Sequence, residues 1–339
     1  MLILQGVATV VYVLFLVPTY AYLPEIQRKV GEHKMAGFTA NFIVVQFGSQ
    51  ALYLVLIAIV TILLPEGTSV VVVAQISQGI NTFTCIVFFG LGWFKFLGAR
   101  KAVRKLPEGR SLLLEGFRSN FQTMKNIQKH YKKGMRWFFL AISFSQAAAA
   151  AVTSLAVVFL SGSVGLGVLE VNAFFVDVLV VSVLGSWIGA AVSRKTNPNL
   201  SYMLSLAYSF IALAIGMLTL ESMPKYVTFI WGAFVGIGLG WLYGSEALYF
   251  SSLLPVGQES ELSGFYNFAT QILGALPPLL FTLVKEANVE ARYAFLAATC
   301  FFLPAIVFLM FAGKWEDIIA ETRVSVAENV IVPTDVEQA

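Results

Sequence analysis

Charge is scarce in this sequence. Lysine, arginine, aspartate and glutamate together make up 12% of its 339 residues, against roughly 25% in a typical soluble domain. So few charges do not cover a water-facing surface of this size, so lipid must be the outer solvent. Cysteine is nearly absent too: Cys85 and Cys300 both fall inside apolar runs, with no spacing that suits a disulfide framework or a metal site. The two histidines, His33 and His130, lie in polar connections away from any carboxylate or thiol partner. There is no G-x-S-x-G elbow, H-E-x-x-H pair, Walker sequence or haem signature. No enzymatic activity, metal or cofactor is therefore expected, and nucleic acid is not an expected partner.

What is present is apolar length. Hydrophobic residues reach 58%, and crossing the hydrocarbon as a helix takes about 20 consecutive, mostly apolar residues. Such runs occupy roughly 3–22, 38–64, 69–97, 136–160, 165–192, 200–220, 226–250, 261–284 and 292–312. Each must satisfy its backbone polar groups within its own helix, so the fold class is an all-α polytopic membrane protein with the bilayer as its first partner. Basic residues sort by side. One set of alternate connections holds Arg28, Lys29, Lys34, the cluster from Lys95 to Arg136, Arg194, Lys195, Lys314 and Arg323, while the other holds Lys225, Lys285 and Arg292. The positive-inside rule makes the first set, and the C-terminus, cytoplasmic. Nine spans then put Met1 on the opposite side, although residues 1–20 carry no basic n-region of a signal peptide. The odd count points to a chain that lacks upstream spans.

Four segments follow. Residues 1–97 hold three spans, 98–135 form a long basic connector, 136–313 hold six spans, and 314–339 are a polar, loosely ordered tail. In the connector, Leu113, Phe117, Phe121, Met124, Ile127 and Tyr131 recur at helical spacing among Arg118, Lys125, Lys129 and Lys132. That is an amphipathic helix for an anionic lipid surface, or else a solvated basic loop that fixes topology.

Ionisable residues within membrane spans are costly and are functional candidates by default. Asp177, in "FFVDVLVV", is mid-span and shares a helix face with Glu170. It is either a proton-coupling or substrate-amine site, or a carboxylate held by a neighbouring helix; Glu170 also reads as interfacial. Glu246, in "YGSEALYF", lies in the last turns of its span and either binds a cationic group or proton, or reaches for the headgroups. The same span carries Gly232, Gly236, Gly240 and Gly244, a small-residue stripe for close helix packing. Uncharged polar stripes recur elsewhere: Thr39, Gln46, Gln50 and Tyr53; Gln75, Gln78, Thr82 and Cys85; Ser143, Gln146, Ala150 and Thr153; Gly264, Asn267, Gln271 and Gly274. Four such stripes favour a common polar cavity for a small polar or zwitterionic solute. Pro277-Pro278 should bend their helix.

The segment "ALYFSSLLPVGQESELSGFYNFATQILGALPPLLF" (247–281) resembles a stretch of the autophagy-related vacuolar effluxer family, a branch of the major facilitator superfamily. The matching residues are Leu254, Pro255, Gly257, Glu259, Glu261, Gly264, Tyr266 and Pro278. "YAYLPEI" (20–26) followed by "GFTANFIVVQFGSQ" (37–50) is similar to the family's junction between its fourth and fifth helices. Together they imply a major-facilitator bundle that begins near the family's fourth helix, with 252–261 as the turn between the tenth and eleventh. The chain departs from the pattern at four places: Gln146-Ala147 stand where the family often has Asp-Gly, Glu246 where it has Gln, Ala275-Leu276 where a Trp precedes the bend, and the loop after the eighth helix keeps Arg194-Lys195 without the superfamily's acidic residue.

The resemblance implies export of amino acids from the vacuole or lysosome to the cytosol by alternating access. The candidate site residues are Asp177, Glu246, Asn267 and Gln271, with Gln46, Gln50 and Gln78 from the first half. Asp177 would hold a proton or the substrate amine, and the amides its carboxylate. Two alternatives remain: a carrier of another small polar solute, such as a sugar or organic acid, at the plasma membrane, or a transporter-like receptor or scaffold that does not transport.

Overall fold

The computed structural model describes residues 20, 22, 23, 26, 29, 31–65, 70–95, 111–131, 134–255 and 258–330. The expected first span, 3–22, lies almost wholly outside them. Among the described residues every regular element is a helix. We number them α1 (Glu32–Leu63), α2 (Val70–Lys95), α3 (Leu112–His130), α4 (Gly134–Gly162), α5 (Val168–Lys195), α6 (Pro198–Thr219), α7 (Lys225–Leu253), α8 (Glu259–Ile272), α9 (Leu276–Glu286), α10 (Ala291–Thr299), α11 (Phe302–Phe311) and α12 (Trp315–Val330). Eight stretches of described chain are long and apolar enough to cross a membrane, and they coincide with the eight later runs read from sequence.

The chain divides into two compact units, residues 1–51 with 119–339, and residues 52–118. The start of α1, most of the connector helix and the tail helix fall in the first unit, where they have apolar residues to bury. From α1, Met35, Ala36 and Ala40 pack with Ala190 and Leu248. From the connector, Ile127 and Tyr131 enter the core. The tail is not loose at its start: α12 buries Ile318 completely, sets Trp315 5.2 Å from the Tyr249 ring, and places Glu321 Oε2 to accept from the Gly134 amide at 3.1 Å. Ile318 was legible as an apolar residue in a polar run, but not as one with a seat to fill. In the second unit, Tyr53 donates to Ser77 O at 2.8 Å, while α2 exposes Phe83, Ile86, Phe88 and Phe94, the composition of a lipid-facing helix.

In the main unit, α5 and α7 run parallel and nearly touch. A Cβ placed on Gly240 would lie 1.8 Å from Ser182 O, and one on Gly236 would lie 2.4 Å from Val178 O. Gly185 of α5 returns the contact, since a Cβ placed on it would lie 2.1 Å from Ile237 O. With no hydrophobic force drawing helices together in lipid, such small-residue contact is what allows two backbones to approach. The antiparallel α6 completes the group, with Trp231 Nε1 donating to Ala212 O at 2.8 Å. On the other side α4 packs its aromatics against α8 and the last span: Phe139 edge-to-face with Phe265 (4.8 Å) and Phe159 tilted against Phe295 (5.8 Å).

Two spans are jointed. α8 and α9 form one membrane stretch interrupted at 273–275. Pro277 and Pro278 have no N–H to donate to the carbonyls of Leu273 and Gly274, so the break falls one turn before the proline pair and Pro277 sits in the first turn of α9. Pro304 explains the joint between α10 and α11 in the same way, since its missing N–H faces Cys300 O.

The unequal contacts along the glycine stripe give a test. Gly240→Ala should force α5 and α7 apart and cost about 1–3 kcal/mol, the usual range for overpacking. Gly244→Ala, whose added carbon meets Ser186 at an ordinary 3.9 Å, should leave unfolding in detergent nearly unchanged. Equal effects on the unfolding temperature would refute the close-contact reading.

Candidate functional site

Glu246 lies two turns before the end of α7, in a stretch where residues 244–251 are all buried, and its own exposure is 1%. A carboxylate removed from water needs donors, and three helices supply them. From α4, Gln146 Nε2 donates to Oε1 at 2.8 Å and to Oε2 at 2.7 Å. From α6, the Tyr202 hydroxyl donates to Oε2 at 3.1 Å. From α8, the Tyr266 hydroxyl donates to Oε1. Each carboxylate oxygen thus accepts two hydrogen bonds, and no lysine or arginine among the described residues pairs with it.

The donors are themselves held. Tyr266 stacks on Phe250 at 4.1 Å and lies 5.2 Å from the Tyr20 ring. Tyr202, fully buried, sits 6.3 Å from both Phe138 and Tyr249, and its hydroxyl is 2.6 Å from Ser145 Oγ. Beside this cluster Ser201 Oγ meets Ser245 Oγ at 2.9 Å and accepts from Trp241 Nε1 at 3.0 Å, which carries the polar contacts on towards α5.

The other candidates read from sequence do not join Glu246. Asp177 is half-buried on α5, and its Oδ2 is buried with no hydrogen-bond partner next to Gly232. Gly232 precedes Glu246 by fourteen residues on α7, about 21 Å along a helix. Asn267 is buried beside Tyr266 in sequence, but its amide donates to Ser263 O of its own helix at 2.9 Å. Gln271 and Gln50 are exposed and Gln46 is half-buried. On α1 it is Phe47 that meets α7, with its ring 5.7 Å from Tyr243. Gln78 is exposed on α2, in the other unit. Glu170 caps its helix, accepting from the Gly167 amide at 2.7 Å, and pairs with Lys225 at 3.5 Å, a surface arrangement.

Of the turn residues, Pro255 is buried, Gly257 and the Glu259 side chain lie outside the described residues, and Gly264 faces open space. Glu261 accepts from Thr123 of the connector helix α3. Tyr266 is the donor to Glu246 already described, which gives a physical role to one position of the motif. Sequence reading missed Tyr202, and it placed Gln146 in a stripe without naming it a site residue. One signal was available: positions 146 and 246 both depart from the family pattern, and they turn out to bond each other.

Residues 38–314 match a family model described as "Vacuole effluxer Atg22 like". The chain belongs to this family. It is also 25% identical over 193 residues to the Autophagy-related protein 22 of Vanderwaltozyma polyspora, a match that covers 55% of this chain and 37% of that relative. The chain therefore matches well under half the length of that curated relative. This family member is a multi-pass membrane protein with a buried polar cluster built on Glu246.

Tyr266→Phe should leave one Glu246 oxygen short of a donor in a buried site and cost about 1–3 kcal/mol. Tyr226→Phe, at a position 66% exposed, should be silent. Thermal unfolding of both variants in detergent checks the difference.

Proposed function

We propose that the protein exports amino acids from the vacuole or lysosome into the cytosol by alternating access. The observation that carries this is the buried Glu246 carboxylate, held by neutral donors from three other helices. A membrane bundle that needed only stability would fill this position with an apolar side chain, because burying a charge is costly even when it is hydrogen-bonded. Membership in a family described as vacuolar effluxers supports the direction and the compartment. The distribution of basic residues supports a cytoplasmic C-terminus, which sets Glu246 towards the cytosolic ends of α4, α6, α7 and α8.

On this reading Glu246 ties four helices together on the cytosolic side, and release of the solute to the cytosol requires them to part. Asp177, nearer the middle of its span and with an oxygen that no donor satisfies, is the position for the amine of the substrate. The amides of Asn267, Gln271, Gln46 and Gln50 remain candidates for its carboxylate, with Asn267 first among them because it is buried beside Tyr266.

Efflux of a labelled amino-acid mixture from vesicles containing the protein tests this. Saturable efflux of particular amino acids is expected. Asp177→Asn should raise KM at least tenfold, and Glu246→Gln should slow efflux by a similar factor without loss of folded protein. Flux of a sugar or organic acid in place of amino acids would make the chain a carrier of another solute. Unchanged kinetics in Asp177→Asn would remove that residue from the substrate site.

A further inference from the structure

The donors to Glu246 are of two kinds. Gln146 Nε2 can only donate, and Tyr266 is described with Glu246 as its single hydrogen-bond partner. Tyr202 differs: its hydroxyl lies between Glu246 Oε2 at 3.1 Å and Ser145 Oγ at 2.6 Å. Ser145 in turn has Ile142 O within 3.2 Å as an acceptor. Carboxylate, phenol, alcohol and backbone carbonyl form one line of four oxygens, and all three side chains are fully buried or nearly so.

We propose that Ser145 and Tyr202 form a hydrogen-bond switch through which Glu246 Oε2 takes up and releases a proton, making Glu246 a proton-binding site of the protein. When the carboxylate is ionised, Tyr202 donates to Oε2 and Ser145 donates to the Tyr202 oxygen or to Ile142 O. A proton arriving from water forms an O–H bond on Oε2 and the cluster gains one positive charge. The new hydroxyl donates to the Tyr202 oxygen, the Tyr202 hydrogen turns to Ser145 Oγ, and the Ser145 hydrogen points to Ile142 O. No covalent bond within the protein breaks and no heavy atom has to move. Every polar hydrogen keeps an acceptor in both states, so neither state carries the cost of an unmade buried hydrogen bond. Gln146 and Tyr266 stay as donors throughout.

The surroundings are consistent with a proton rather than a larger cation. The ionisable groups facing the cluster are phenols: Tyr202 from α6, Tyr266 from α8, Tyr243 and Tyr249 on α7 itself, and Tyr20 against Tyr266. From α4 the cluster meets the neutral Gln146 and Ser145, and from α1 Phe47 packs on Tyr243. A metal ion needs oxygen lone pairs turned towards it, whereas each Glu246 oxygen already accepts two hydrogen bonds. Ser145 acts here through Tyr202 and is a positioning residue.

For its transport consequence the inference rests on the function proposed above, but protonation itself is read without flux. Infrared difference spectra of the full chain in lipid vesicles, stepped in pH in H2O and D2O, report the carbonyl band of a protonated carboxyl group. The native protein should show such a band at acid pH, and Glu246→Gln should remove it. Ser145→Ala should lower its amplitude at fixed pH at least twofold, because Tyr202 then has no acceptor for its turned hydrogen. Ser201→Ala is the matched control: Ser201 is equally buried and bonds Ser245 and Trp241 instead, so the band should persist. A band that survives Glu246→Gln, that falls equally in both serine variants, or that responds to sodium in place of pH would overturn the proposal. If Ser145→Ala does not fold, the native spectra still decide: the tyrosine C–O stretch must change with the same midpoint as the carboxyl band, and an independent midpoint refutes the switch. A protein that shows the switch but moves no amino acid would keep this inference and lose the export reading.

Discussion

A buried carboxylate cannot be left to itself, and the second half of this chain is arranged around that constraint. Glu246 requires donors at defined places, so α4, α6 and α8 must each bring one to within hydrogen-bond distance of the same two oxygens. Their register along the bundle follows. Gln146 falls in the fourth turn of α4, Tyr202 in the first turns of α6 and Tyr266 midway along α8. A slip of one turn in any of them would carry its donor about 5 Å along the helix, out of hydrogen-bond reach of the acid. Aromatic packing then holds each donor in place, with Phe250 under Tyr266 and Phe138 beside Tyr202.

The glycine contact between α5 and α7 does complementary work. It sets α7 at a fixed height against α5, since Ser182 O and Ile237 O leave room for hydrogen only. Because small residues bring the two backbones together without side chains between them, the pair has little freedom to slide. Tyr202 and Ser201 then attach α6 to the same group through Glu246, Ser245 and Trp241. The carboxylate is thus presented by a rigid three-helix body.

How far the sequence revealed this depended on the range of the interaction. The spans are a property of local composition, and each of the eight that fall within the described residues has helix over it. The proline joints are nearly local: both breaks occur where a proline's missing N–H abandons the carbonyl four residues back. Glu246 stood out because a charge in an apolar run is locally anomalous. Its partners lie 100, 44 and 20 residues away, and nothing in the neighbourhood of Gln146 or Tyr202 marks them as donors to it. The same limit left unread that Asp177 lies against Gly232 rather than beside Glu246, and it hid the seat of Ile318 at Gly134.

Among the bonds to Glu246 a division runs between two kinds of helix. Tyr202 belongs to the compact group α5–α6–α7, where glycine contacts and buried serines leave few degrees of freedom. Tyr266 belongs to α8, which ends at a proline joint, and Gln146 to α4, which packs against that jointed span and the jointed pair α10–α11 through aromatic rings. Edge-on and tilted rings tolerate reorientation far better than two backbones with no room for a Cβ between them. Two of the three tethers to the carboxylate therefore cross from the stiff body to the hinged one. Weakening them acts where the structure is already divided, while the third keeps Glu246 fixed to the part that does not bend. A charge at this seam is better placed to govern relative motion than the same charge buried inside either body.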